Sequence, residues 1–92
     1  MGSNQKETHK QLQTIPGVGR SISVDLWNLG IRSVRDLRKK NPENLFKEHC
    51  RQKGMLVDRC MLYVMRCAVY YASTKNPKSE LLQWWNWKDT NT

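Results

Sequence analysis

The 92-residue sequence predicts an all-α fold, a compact domain of about five helices. Three observations carry that prediction. Apolar residues recur at helical spacing, most clearly at Val57, Cys60, Met61, Val64, Cys67, Ala68 and Tyr71, which keep i, i+3, i+4, i+7 positions without a break. Helix breakers and terminators punctuate the chain at Pro16-Gly17, Gly30, Pro42, Gly54 and Pro77. The length supports one hydrophobic core and is too short for two.

Taken in order, residues 1–8 are polar and unpatterned and are expected to form a flexible tail. Residues 90–92 are its counterpart at the other end, with the folded domain spanning 9–89. A short helix over residues 9–13 would take Thr8 as N-cap, turn Leu12 inward and leave His9 on the surface. Pro16 fixes its own φ and drives Ile15 out of the α region, so this helix must stop there. The next runs from Arg20 to Asn28, with Ile22, Leu26 and Leu29 on its apolar stripe and Gly30 as terminator. Trp27 lies off that stripe and should pack against another element, whereas Asp25 reads as a solvated helix charge.

Ser33-Val34-Arg35-Asp36 reads as a capping box with Asp36 in place of the usual Glu, and Ile31, Val34 and Leu37 face the core. The opposite side of this element carries Arg32, Arg35, Arg38, Lys39 and Lys40. Asn41-Pro42-Glu43 is a strong helix start: Asn as cap, Pro at the first position, an acid in the first turn. That helix runs to about Lys53, and Gly54 ends it. Leu45 and Phe46 point inward, with His49 and Cys50 one turn later as further core residues.

Residues 57–73 form the longest periodic stretch. Leu62, Tyr63, Met65, Val69 and Tyr70 lie off its main stripe yet are apolar too, so this should be the central buried helix. Arg59 and Arg66, seven apart, share one edge and are free to form ion pairs or project to solvent. After Asn76-Pro77 a final helical turn begins at Ser79-Glu80, with Leu81, Trp84 and Trp85 on one face and Trp87 just beyond. Three indoles in four residues suit either stacking on exposed bases or a clamp over the core. Leu81 and Leu82 precede the rings and no basic residue alternates with them, which favours the clamp.

The charge is uneven. Net charge is +8, and residues 1–53 hold 11 Lys/Arg against 5 Asp/Glu, so a polyanion is the partner that electrostatics favours. No apolar run approaches the roughly 20 residues of a membrane span, and the polar N-terminus lacks a signal-peptide core, which points to the cytoplasm. Three cysteines make no disulfide framework. Cys60 and Cys67 stand about 10 Å apart along a helix axis, too far to share a bridge or one zinc, and Cys50 or His49 adds too few ligands. All three read as core thiols, with no metal and no cofactor. No nucleophile–base or carboxylate pair emerges from the spacing, so the chain is not expected to be an enzyme.

The stretch Thr14-Ile15-Pro16-Gly17-Val18-Gly19-Arg20 has the chemistry of a phosphate site. Gly17 and Gly19 carry no Cβ, so an outside group can approach their N–H donors at a helix N-terminus, where the macrodipole favours an anion. With Ile22, Leu26 and the Leu-Gly-Ile exit at 29–31, the stretch resembles the helix-hairpin-helix motif. That resemblance implies amides from Gly17 and Gly19, Val18 as an apolar plug, and Arg20 as an accessory phosphate contact. It further implies a SAM-like, doubled-hairpin arrangement whose second unit, residues 42–73, is degenerate, because Met55-Leu56-Val57 offers no second glycine and no anion nest.

Three blocks extend the likeness over most of the chain: Leu-Gln-Thr-Ile-Pro-Gly-Val-Gly from Leu12, Asp-Arg-Cys-Met-Leu-Tyr-Val-Met-Arg-Cys from Asp58, and Trp-Trp-Asn-Trp-Lys-Asp from Trp84. Together they resemble the bacterial pathogenicity-locus family, some members of which carry mitomycin-resistance labels. The expected function is sequence-independent DNA binding through backbone phosphates, in repair or regulation. Its expected contacts are Gly17, Val18, Gly19, Arg20, Arg32, Arg35, Arg38 and Lys39. A monomer is expected. The alternative is a protein interaction or dimerisation module that uses the aromatic C-terminal segment.

Overall fold

Helix α4 (Cys60–Ser73) is the centre of the fold in the computed structural model, which describes residues 5–88. It buries Met61, Leu62, Val64, Met65, Cys67 and Ala68. Leu62 and Met65 lie off the main stripe and are still 2% and 1% exposed, so the helix is covered on more than one side. Burying a side chain of that size contributes roughly 1.5–3 kcal/mol. Around α4 pack α3 (Pro42–Lys53), the single 3₁₀ turn Val34–Leu37, and two C-terminal 3₁₀ turns, Ser79–Leu82 and Trp84–Trp87. Helices α1 (Gln5–Leu12) and α2 (Arg20–Asn28) pack on each other and close the core with Leu12, Ile15, Val18 and Leu26.

The chain is thus a compact all-α domain of four helices plus 3₁₀ turns among the described residues, rather than five helices. The third expected helix is one turn long. Its capping is real: Asp36 N–H donates to Ser33 Oγ at 3.3 Å, while the Asp36 carboxylate accepts from Arg32 N–H at 2.9 Å. Propagation fails because Pro42 disfavours the α conformation at Asn41 and Lys39 takes a φ of +68°. A cap cannot nucleate a helix that lacks room to grow.

The other boundaries have equally local causes. Asn41 Oδ1 accepts from the N–H groups of Glu43 (2.8 Å) and Asn44 (3.2 Å), with Pro42 in the first turn, as its sequence requires. Both α2 and α3 end in the Schellman pattern around a positive-φ glycine. Ile31 N–H reaches Leu26 O at 3.0 Å past Gly30, and Met55 N–H reaches Cys50 O at 3.2 Å past Gly54. Helix α4 begins at Cys60 and not at 57, because the Asp58 carboxylate accepts from Cys60 N–H at 2.8 Å and so caps it. Val57 still packs on the core from outside the helix.

Four side chains depart from the sequence reading. Residues 5–8 belong to α1, so Thr8 is a buried residue inside the helix and not its cap. His9 is half-buried, its ring centroid 5.7 Å from that of Trp27. Asp25 is paired with Lys53 at 3.6 Å, its side chain only 16% exposed. Cys60 is exposed because nothing covers the first residue of α4, whereas Cys67 is buried and Cys50 half-buried. The expected tail residues 1–4 and the C-terminal residues 90–92 lie outside the described residues.

The C-terminal segment is a clamp for two of its three indoles. Trp87 Nε1 donates to Leu81 O at 2.7 Å, and its ring lies 5.3 Å from Tyr70. Arg66 fastens the clamp to α3, donating to the Glu43 carboxylate at 2.9 and 3.0 Å and to Trp87 O at 2.8 Å. Trp84 packs against the core. Trp85 does not: it stays 51% exposed.

Candidate functional site

The turn between α1 and α2 is built by four residues, Ile15 to Val18. Ile15 O accepts from Val18 N–H at 3.0 Å, with Pro16 and then Gly17 (φ +86°) in the central positions, the sequence pattern of a type II turn. Val18, which the resemblance casts as an apolar plug, is 5% exposed, and its N–H is spent inside the turn. Gly17 is explained by the fold itself. Its positive φ excludes ordinary side chains, and a Cβ there would stand 3.1 Å from Trp84 Cδ1.

Gly19 is different. It caps α2 with ordinary extended geometry (φ −98°, ψ −167°), and its C=O accepts from Ser23 N–H at 3.0 Å. A Cβ built on it would have nothing within 4 Å. Any L residue fits this backbone, so the fold does not demand a glycine. What the glycine does provide is open access to the first N–H groups of α2, which have no intrahelical partner. No side chain caps them, and no acid stands in the first turn to neutralise the helix dipole. Exposed Arg20 adds a cation at the same end.

Beside this end runs a cleft of about 530 Å³, lined by Lys6, His9 and Lys10 from α1, by Gln13 just past its end, and by Arg20 and Val24 from α2. The first four are spaced i, i+3, i+4, i+7 and so share one face. Among the described residues that line it, the cleft carries three cations and no acid. The sequence pattern does not mark Lys6 and Lys10 as site residues; their spacing of four is the available signal, and it is hidden where residues 1–8 read as a tail.

From the cleft residue His9, a contact through Trp27 reaches Arg32. Its guanidinium carbon lies 3.6 Å over the Trp27 ring, and its Nη1 donates to Trp27 O at 2.6 Å. Trp27 also meets His9, so His9, Trp27 and Arg32 form a row joining the cleft to the following basic strip. Gln11 Oε1 accepts from Val34 N–H at 2.8 Å and fixes that strip to α1. Arg35, Arg38 and Lys39 are exposed. Because Arg38 and Lys39 leave the helical region, the strip is a bent loop edge and not the helix face its spacing implied.

Other titratable groups are used locally. The Cys60 thiol is pushed up by the Asp58 carboxylate beside it, and the Asp58 carboxyl is held down chiefly by the Cys60 N–H. Burial raises the Cys67 thiol, which donates weakly to Leu81 O at 3.5 Å. Among the described residues no group of three His, Cys, Asp or Glu could hold a metal ion, and no helix is long and apolar enough to cross a membrane.

A family model described as Cdd1, pathogenicity locus, matches residues 5–92. No curated protein and no solved structure matches the chain.

Proposed function

The chain belongs to the pathogenicity-locus family, and from that premise we propose that it is a nucleic-acid-binding protein that grips DNA backbone phosphates without reading sequence. The observation that carries this reading is Gly19, a glycine that the backbone does not need, in front of unpartnered helix amides. In this proposal α1, the Ile15–Val18 turn and α2 act as a helix-hairpin-helix, with the N-terminal amides of α2 on one phosphate. Arg20, Lys6 and Lys10 hold the neighbouring phosphates along the cleft. Arg35, Arg38 and Lys39 extend the path, and Arg32 presents its charge from the face of Trp27. The α3–α4 pair serves as a second, structural hairpin.

Val18 contributes shape and not a donor, since its N–H is already bonded. With about three to six phosphates engaged, affinity is micromolar or weaker at physiological salt and falls steeply as salt rises. Phosphate contacts position the protein and carry no base information, so specificity comes from a partner. We place the protein in the cytoplasm as a monomer that binds without catalysis and without a cofactor.

The test is fluorescence anisotropy of labelled duplex DNA at low and moderate salt, with the parent chain and Gly19→Asp. Salt-sensitive binding that the folded variant loses supports the proposal. Binding indifferent to residue 19 removes the hairpin from the interface.

A further inference from the structure

Trp85 is the exposed member of an otherwise docked aromatic cluster, and its position is fixed from both sides. Asn86 Nδ2 donates to Glu80 O at 2.7 Å and to Gln83 Oε1 at 3.1 Å, and Asn86 N–H donates to Gln83 O at 3.0 Å. Trp87, one residue further on, is tied through its indole N–H to Leu81 O and through its carbonyl to Arg66, and on the other flank Trp84 packs against the core. A ring mounted this way is not exposed through fraying. Leaving a large indole 51% exposed forgoes part of the hydrophobic free energy that its burial would supply.

The ring also stands beside the hairpin. Trp84 lies directly against Gly17, within 3.1 Å of where a Cβ would be, and the Trp84 and Trp85 centroids are 5.8 Å apart with their planes at 83°. Rings nearly perpendicular cannot stack, so at least one face of Trp85 is left uncovered by its neighbour. The ring therefore leaves an indole face open one residue from Trp84, the side chain that floors the candidate phosphate turn.

We infer that Trp85 is a base-stacking platform and that the preferred ligand is DNA with unpaired bases, a single strand or a strand with an open end. This rests on the phosphate-binding reading of the hairpin. A duplex keeps its bases stacked on each other and offers the ring nothing, whereas a single strand gains stacking, which is sequence-tolerant because every base has a π-face. Trp84 and Trp87 serve as the mount and do not touch the base.

The experiment compares a fluorescein-labelled oligothymidylate with a duplex of equal length, by anisotropy at low salt, for the parent, Trp85→Ala, Trp85→Phe and Gly19→Asp. Circular dichroism and Tm verify that each variant is folded. Trp85→Ala is expected to lose about tenfold in affinity for the single strand and to leave duplex binding unchanged, while Trp85→Phe retains most of the preference. Gly19→Asp is expected to weaken both ligands. Equal single-strand affinity in the parent and Trp85→Ala overturns the platform while leaving the hairpin site standing, and so does an equal loss on both ligands. If Gly19→Asp keeps its single-strand binding and Trp85→Ala loses it, the platform stands and the hairpin assignment falls. A parent that binds neither ligand overturns both.

Discussion

Replacing Gly19 with Asp should stabilise the protein and weaken the proposed DNA binding, two effects of opposite sign from one side chain. Asp is a better N-cap than Gly by a few tenths of a kcal/mol. A negative charge at the start of α2 adds about 0.3–1 kcal/mol through the helix dipole, and removing a glycine's freedom from the unfolded chain adds about 0.4–1. The extended φ and ψ of residue 19 and the empty space around it mean that no strain offsets these gains. The sum, about 1–2 kcal/mol, raises Tm by roughly 5–10 °C in a domain of this size.

Gly17→Ala supplies the contrast. Its φ of +86° costs an alanine about 1–2 kcal/mol, and the Trp84 ring must also give way, so Tm should fall by a similar amount. Thermal melts followed by circular dichroism read the stability, and anisotropy with labelled DNA at low salt reads the binding. A Gly19→Asp protein that is destabilised as much as Gly17→Ala would refute the reading of Gly19 as structurally unneeded. One that is stabilised yet binds DNA like the parent would refute the reading of its amides as the phosphate site.

Further expectations concern charge and packing. Lys10→Ala should weaken binding to any DNA sequence alike and lower the slope of log affinity against log salt by about 0.9, the signature of one lost phosphate contact. Asp58 has its folded pKa below its unfolded value, so the cap stabilises at neutral pH, and that contribution disappears as pH falls through the folded pKa. The gap in Tm between the parent and Asp58→Ala should therefore be widest near neutrality and close on acidification. The same substitution should speed alkylation of exposed Cys60 by iodoacetamide, measured by mass spectrometry, because the carboxylate that raises its thiol is gone; buried Cys67 should remain slow. Arg66→Met should cost about 1–2 kcal/mol once the exposure of Glu43 is discounted, and should red-shift tryptophan emission as Trp87 loosens.

Much of the fold is legible in the sequence because its signals are local. The Pro16-Gly17 turn, the Gly30 and Gly54 termini, the Asn41 cap and the two-sided apolarity of α4 each act within a few residues, and each is found where its pattern stands. The departures arise where a distant partner decides. Residues 5–8 have no apolar stripe of their own, yet they are helical and Thr8 is buried. His9 is drawn in by Trp27, and Asp25 by Lys53 on another helix. Spacing groups Trp84, Trp85 and Trp87 together, yet tertiary packing divides them. At the candidate site the spacing marks both glycines alike. Only the backbone angles and the position of Trp84 separate the one the turn requires from the one it does not.

The contact between Trp84 and Gly17 also bears on the order in which the molecule assembles. Helices α1 and α2 and their turn join near neighbours, which can meet early, whereas Trp84 must return across most of the chain and close a long loop. The floor of the turn is therefore among the last parts to be laid. During synthesis, a chain that has emerged only as far as Ser73 already holds the hairpin residues but lacks the indole beneath them. Under the proposed function, competence to bind thus arrives with the final segment, and an unfinished chain lacks the finished turn.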